Sequence, residues 1–201
     1  MARLLTLAMV LYLTSASFAF AQQLIAKPFT FDPDNLMGTA GQWVSNMGCG
    51  LDSSGSDDQG LVLFKLGPTT DFKASGAEIT KVKNMSLCAS NAVLGFDFRP
   101  EGHCSGGAPR FNLVTKAGTF HFLGGCGNAT TSAGPGACMT ATIDPHSSAQ
   151  AFPPLPTSAN PNTAGCVIKS LAIIFDEGTD AGPGFAVVDN ININGTIIDK
   201  E

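Results

Sequence analysis

Residues 92–126 contain the clearest period-two pattern of the chain, and this pattern constrains the fold more than any other feature. Apolar residues alternate with polar or small residues around Phe96, around Phe111 and around Phe120, with glycine-containing connections between the three segments. Alternation of this kind predicts β-strands that bury one face. The short connections predict that the strands pair as an antiparallel meander. We therefore expect Phe96, Phe111 and Phe120 to point into a shared interior.

Further short strands are predicted along the rest of the chain, and no segment has helical periodicity of useful length. Pro28 places the first strand at a sheet edge, and Asn194-Gly195 predicts a tight hairpin near the C-terminus. Segments 127–137 and 144–165 are rich in glycine, proline and small polar residues, which predicts loops. Together these features predict an all-β fold, an antiparallel two-sheet β-sandwich of jelly-roll type that is braced by disulfides.

The N-terminus has the pattern of an export signal. Arg3 precedes a short apolar run, and a small-x-small cleavage site ends at Ala21. We predict that residues 1–21 are removed and that residues 22–201 form a single secreted β-sandwich domain, in the extracellular space or a periplasm. No later segment has an apolar run long enough for a membrane span.

The charge balance excludes two classes of partner. The net charge is −5 and only 13% of the residues are charged. Nucleic acids require a high density of basic residues for phosphate contacts, so no nucleic acid is expected as a partner. Anionic membrane surfaces are excluded for the same reason.

The six cysteines all follow the predicted leader, and an even number of cysteines in an exported chain predicts disulfides. No Cys-x-x-Cys pair is present, which argues against a zinc site. The spacing does not select one connectivity. Our working hypothesis for the pairing is Cys104–Cys126, Cys138–Cys166 and Cys49–Cys88.

The alternation also groups polar side chains on the side of the meander opposite to its phenylalanines. Neighbouring strands bring side chains of the same face close together, and donors and acceptors in such a group suit a polar ligand such as a sugar. The simpler explanation is an Asp97–Arg110 ion pair on a solvated sheet face, which contributes little to stability. The candidate ligand-binding residues are Asp97, Arg110, Asn112 and His121.

Asp189 interrupts an apolar alternation in the last long strand, residues 185–193, and is therefore predicted to face the core with Ile191. A buried carboxylate requires a partner, because an unpaired buried charge is costly. Three explanations remain open: a bulge that turns Asp189 outward, hydrogen bonds from a nearby loop, or a bound structural calcium ion, which takes oxygen ligands.

Known catalytic motifs are missing from the sequence. The three histidines do not form a Ser-His-Asp arrangement, and neither Gly-x-Ser-x-Gly nor His-Glu-x-x-His occurs. Trp43, the single tryptophan, is expected to pack against the core, and the single tyrosine, Tyr12, belongs to the leader. Few aromatic rings of the types that usually stack on sugars therefore remain in the exported chain.

Three short segments resemble a group of secreted jelly-roll β-sandwich proteins of uncharacterised function. The segments are GFDFR at 95–99, GAPRFN at 107–112 and VDNI at 188–191. The last segment is also similar to the final strand of galactose-binding-like carbohydrate-binding modules. In several of those families an aspartate at this place ligates a structural calcium ion, so the resemblance implies calcium at Asp189.

These observations give three hypotheses of function. The first is a non-catalytic, secreted binding module for an extracellular glycan, with polysaccharide as the partner. The second is a structural or adhesive protein of the cell envelope or extracellular space, with an envelope protein as the partner. The third is an extracellular hydrolase whose site has no recognisable motif.

Overall fold

The computed structural model describes residues 23–50, 58–177 and 184–200, which form two antiparallel β-sheets. The two-sheet β-sandwich expected from the alternation is therefore confirmed. Apart from one short 3-10 helix, Thr69–Asp71, every regular element of the described residues is a strand. None of the described residues belongs to a helix with the length and hydropathy needed to cross a membrane. The leader, residues 1–21, lies outside the described residues.

The thirteen strands of the described residues, numbered in chain order, are divided between a six-stranded and a seven-stranded sheet. The six-stranded sheet has the spatial order β1 (Ile25–Phe31), β4 (Ala74–Thr80), β11 (Ile168–Phe175), β6 (Arg110–Thr115), β7 (Phe120–Gly124) and β10 (Ala151–Phe152). The seven-stranded sheet has the order β2 (Thr39–Ser45), β3 (Gln59–Lys65), β12 (Gly184–Ile193), β5 (Leu94–Phe98), β9 (Met139–Ile143) and β8 (Thr130–Ala133), and β13 (Thr196–Ile198) pairs with β12. The jelly-roll connectivity stays a prediction.

Alternate side chains of both sheets fill the space between them. Phe111 of β6 and Leu63 of β3 are both fully buried. The rings of Phe96 and Phe111 lie 5.9 Å apart, so the expected shared interior is confirmed for these two residues. Burial of a side chain of this size contributes roughly 1.5–3 kcal/mol relative to exposure, which makes this layer the main source of stability.

Three disulfides tie segments that are distant in sequence, and two of the three pairs predicted from sequence are wrong. Cys104–Cys126 is confirmed. The remaining cysteines do not form Cys138–Cys166 and Cys49–Cys88. The structure instead pairs Cys49 with Cys138 and Cys88 with Cys166, across separations of 89 and 78 residues. Disulfides in this number are typical of oxidising compartments.

The pairing differs because the arrangement of strands in the sheets, and not separation along the chain, decides which cysteines lie close together. Cys138 directly precedes β9, and Cys49 donates its N–H to Asp189 of β12 in the same sheet, so the Cα atoms of the pair lie 5.6 Å apart. Cys88 lies beside Cys166 because the N–H of Leu87 donates to the Cys166 carbonyl at 2.9 Å. The proline-rich segment between Cys138 and Cys166 is therefore not closed by its own disulfide.

Local sequence signals at the sheet edges are confirmed. Pro28 lies in β1, which is the edge strand of the six-stranded sheet. Asn194 and Gly195 adopt φ angles of 51° and 88°, the left-handed conformations that a tight β12–β13 turn requires. Trp43 packs against the core, and its indole N–H donates to the carbonyl of Ala26 at 3.1 Å, as expected for a structural residue.

Candidate functional site

The outer face of the six-stranded sheet has a group of exposed phenylalanines next to polar side chains. Phe120, Phe122 and Phe152 are 42%, 43% and 76% exposed. Grouped, exposed apolar side chains mark interaction surfaces more often than isolated ones do. We call this surface the aromatic face and define it by Arg110, Asn112, Phe120, Phe122 and Phe152.

The exposure of Phe120 and Phe122 shows that the sequence prediction was wrong for β7, because Phe120 was expected in the shared interior and Phe122, two residues later, shares its face. The register places Leu123 directly opposite Phe111, which is a core residue. Inward-facing positions of β7 are therefore Leu123 and, two residues earlier, His121. The two phenylalanines lie on the outer surface, where their rings pack edge to face at 4.8 Å.

Arg110 is the central polar residue of the aromatic face. Its Nη1 and Nη2 atoms each donate to one carboxylate oxygen of Asp176 at 2.6 Å, and Nη1 also donates to the Gly107 carbonyl at 2.8 Å. Its Nε donates to Asn112 Oδ1 at 3.1 Å, and the guanidinium lies 5.1 Å from the centre of the Phe122 ring. Most of the five N–H donors are therefore used and the charge is neutralised, so Arg110 shapes the surface more than it attracts anions.

A groove of about 410 Å³ opens beside Arg110, and we call it the loop-side groove. Phe122 and Phe152 form its apolar side, and the loop residues Asn128 and Gln150 contribute polar groups. The Asn128 Nδ2 donates to the carbonyl of Gly106 at 3.0 Å, which leaves its Oδ1 as an acceptor for a ligand. Apolar surface with a few fixed polar groups is the usual composition of a ligand site.

Two of the four predicted ligand-binding residues lie away from the aromatic face. His121 is 3% exposed and its Nδ1 lies 2.7 Å from the Pro153 carbonyl oxygen, so it points into the interior. Asp97 belongs to the other sheet, where its carboxylate accepts hydrogen bonds from Thr140 Oγ1 at 2.5 Å and Asn190 Nδ2 at 2.8 Å. The predicted group of four is therefore reduced to Arg110 and Asn112.

A β-bulge in β12 sets the position of Asp189. The pairing of β12 with β5 shifts register between Asp189 and Asn192, and Asn190 has a φ angle of 45°. The extra residue reverses which alternate positions of β12 face the core. Val188 before the bulge and Ile191 after it, three residues apart, both belong to the core. The prediction that Asp189 shares the core-facing parity of Ile191 is wrong for this reason.

Asp189 is nevertheless fully buried, because the segment around Cys49 covers it. Its Oδ2 accepts the Cys49 N–H at 2.8 Å, and its Oδ1 has no hydrogen-bond partner among the described residues. Desolvation raises the pKa of Asp189 from 3.8 to about 7, with smaller contributions from the negative charges of Asp199 and Asp58. The bulge and the loop hydrogen bond are thus both present.

The calcium ion expected at Asp189 stays a prediction. Within 23–50, 58–177 and 184–200, no three His, Cys, Asp or Glu side chains group in a way that could hold a metal ion. A proton on the carboxyl at neutral pH is an alternative to a cation, since either one removes the cost of a bare buried charge.

Sequence reasoning missed one polar cluster, at the end of the sandwich near Cys104–Cys126. His103 Nε2 lies 2.6 Å from Glu177 Oε2 and 3.1 Å from Ser105 Oγ, and the Ser105 hydroxyl also donates to Glu177. Both partners contact the same ring nitrogen. A Ser-His-acid triad needs the serine and the acid on opposite nitrogens, so this arrangement does not activate Ser105 as a nucleophile.

Comparison with known protein families, with curated proteins and with solved structures finds no match for this chain. Function is therefore inferred from the geometry of the described residues. In that geometry the aromatic face and its loop-side groove combine exposed rings, fixed amides and an accessible cavity.

Proposed function

We propose that the protein is a secreted, non-catalytic binding module and that its aromatic face binds an extracellular glycan. The observation that carries the proposal is the loop-side groove, where Phe122 and Phe152 lie beside the amides of Asn128 and Gln150. Sugar rings present C–H groups on their faces and hydroxyls at their edges. Aromatic rings next to amide donors and acceptors complement both kinds of surface.

Support for secretion comes from the three disulfides and from the leader pattern in residues 1–21. Disulfides persist in oxidising compartments and are rare in the cytosol. The shortage of tryptophan and tyrosine, which argued against sugar binding, is offset by the phenylalanines that β7 and β10 expose. Phe152 is the most accessible of these rings.

Mutagenesis combined with a glycan array tests the proposal. Labelled wild-type protein is expected to bind one glycan class, and Phe152→Ala is expected to weaken binding about tenfold, or about 1.4 kcal/mol. Arg110→Ala is expected to weaken binding as well, because it removes the support of Phe122 and Asn112. Phe72→Ala is the matched control, since Phe72 is 82% exposed but lies in the β3–β4 connection, outside the groove.

Other results would contradict glycan binding. An array without a hit, together with concentration-dependent self-association that Phe152→Ala abolishes, would favour the structural or adhesive hypothesis. Equal loss of binding in Phe72→Ala and Phe152→Ala would show that the aromatic face is not the site. Turnover of a polysaccharide would instead revive the hydrolase hypothesis.

A further inference from the structure

A second groove lies on the same outer face as the loop-side groove, and we call it the strand-side groove. It has a volume of about 610 Å³ and crosses the strands on the β1 side of the aromatic face. Ser170 and Ala172 of β11 have short side chains, which leave space between the larger Phe29 of β1 and Phe120 of β7. The sheet surface therefore has two depressions with the central residues of the aromatic face between them.

The sheet registers align the two grooves on one line across the strands. One outward residue of each strand lies directly opposite an outward residue of the next strand. These six residues therefore form a single row across the sheet. From β1 to β10, the row is Lys27, Glu78, Ala172, Asn112, Phe122 and Phe152. At about 4.8 Å between neighbouring strands, five intervals extend for about 24 Å.

Charges along this row are balanced locally. Lys27 is directly opposite Glu78 in the β1–β4 pair. Among the described residues that lie two positions along a strand from the row, Arg110 is the charged one, and it forms its ion pair with Asp176. A surface that recognises an acidic polymer presents cations without adjacent carboxylates, and this row presents neither an excess of cations nor an excess of anions.

Polar groups along the row suit hydroxyls more than charges. Asn112 uses its Oδ1 to accept from Arg110, and among the described residues its Nδ2 makes no hydrogen bond, so two N–H donors face the surface. Ser170 adds a hydroxyl in the strand-side groove, and Asn128 Oδ1 is available in the loop-side groove. These neutral donors and acceptors occur in both depressions.

The geometry points to a linear, uncharged oligosaccharide that lies across the strands and occupies both grooves at once. This inference rests on the proposed function and names its ligand class: an unbranched, neutral chain instead of a single sugar or an acidic polymer. Phe152 and Phe122 would contact one end of the chain, and Phe29 and Phe120 would contact the other. Asn112 would donate to the middle of the chain.

Titration calorimetry with a series of chain lengths tests the inference. The probes are β-1,4-linked gluco- and manno-oligosaccharides and β-1,3-linked gluco-oligosaccharides, each from disaccharide to hexasaccharide, with oligogalacturonides of the same lengths as acidic counterparts. We expect one neutral series to bind, its hexasaccharide at least tenfold more tightly than its disaccharide. The acidic hexasaccharide is expected to bind at least tenfold more weakly than the neutral one.

A variant in the strand-side groove separates this inference from the proposed function. Ala172→Leu fills the strand-side groove and is expected to reduce hexasaccharide affinity about tenfold while disaccharide affinity stays unchanged. Phe29→Ala removes a wall of the same groove and is expected to act in the same direction. Far-ultraviolet circular dichroism and Tm confirm that each variant is folded.

The outcomes are distinct. Equal affinity for all chain lengths, or no effect of Ala172→Leu on the hexasaccharide, would overturn the two-groove inference and leave the glycan site at the loop-side groove. Tighter binding of the acidic series would overturn the charge argument. Failure of every oligosaccharide to bind would overturn the inference and the proposed function together.

Discussion

Asp189→Asn isolates a pH dependence of folding stability that follows from the burial of one carboxyl group. The side chain is fully buried, one of its oxygens accepts the Cys49 N–H, and burial raises its folded-state pKa from 3.8 to about 7. Asparagine has nearly the same shape and keeps an oxygen acceptor for that N–H, but it does not ionise. The variant therefore removes the titration and preserves the hydrogen bond.

The sign of the effect depends on which state holds the proton. Well below pH 3.8 the carboxyl is protonated in both states, and above about pH 7 it is ionised in both. Between these values the unfolded chain loses the proton first, so the free energy of unfolding falls as the pH rises. A change from 3.8 to about 7 corresponds to about 4 kcal/mol, at about 1.4 kcal/mol per pKa unit.

Urea unfolding at about pH 4, 6 and 8 measures the effect through the linear dependence of stability on denaturant. Relative to the wild type, Asp189→Asn is expected to gain stability as the pH rises, with a total change approaching 4 kcal/mol. Ile191→Val is the control, because it deletes a buried methylene near the bulge and is expected to cost about 1 kcal/mol at every pH. Parallel profiles for Asp189→Asn and the wild type would refute the reasoning.

Three further outcomes are expected. Peptide mapping without reduction should recover Cys49–Cys138 and Cys88–Cys166, and recovery of Cys49–Cys88 would contradict the fold. The double replacement of Cys88 and Cys166 by alanine should lower the free energy of unfolding by about 4 kcal/mol, because that disulfide closes a long loop. The calcium prediction at Asp189 requires that EDTA lower Tm and that added calcium restore it. An unchanged Tm would contradict that prediction and leave a proton as the group that neutralises the buried carboxyl.

The alternation in the sequence predicted the sandwich because burial of alternate residues is a local property of each strand. Alternation alone was insufficient at β7, where one face contains Phe120 and Phe122 and the other contains His121 and Leu123. Composition favours burial of the phenylalanines. The register with β6 decides otherwise, since Leu123 lies opposite Phe111, and pairing between strands is not visible in the local sequence.

The same limit explains the missed parts of the candidate site. A bulge of one residue reverses every later position of a strand, and the only local signal at this bulge is Asn190, a residue type that tolerates positive φ. Strand β8 (Thr130–Ala133) exposes all four of its residues, so it has no alternation and was expected to be a loop. Arg110 and Asn112 were predicted correctly as neighbours, because both lie on one strand with a regular period.

Nuclear magnetic resonance of the side-chain amides tests most directly the claim that the outer face of the six-stranded sheet is the binding surface. The ¹⁵N-labelled protein is titrated with the neutral hexasaccharide that binds best. Shifts are expected for the Asn112 and Gln150 side-chain amides, which lie in the two grooves, and no shift is expected for Asn194 in the β12–β13 turn. Shifts at Asn194 with Asn112 and Gln150 unchanged would contradict glycan binding at the outer face of the six-stranded sheet.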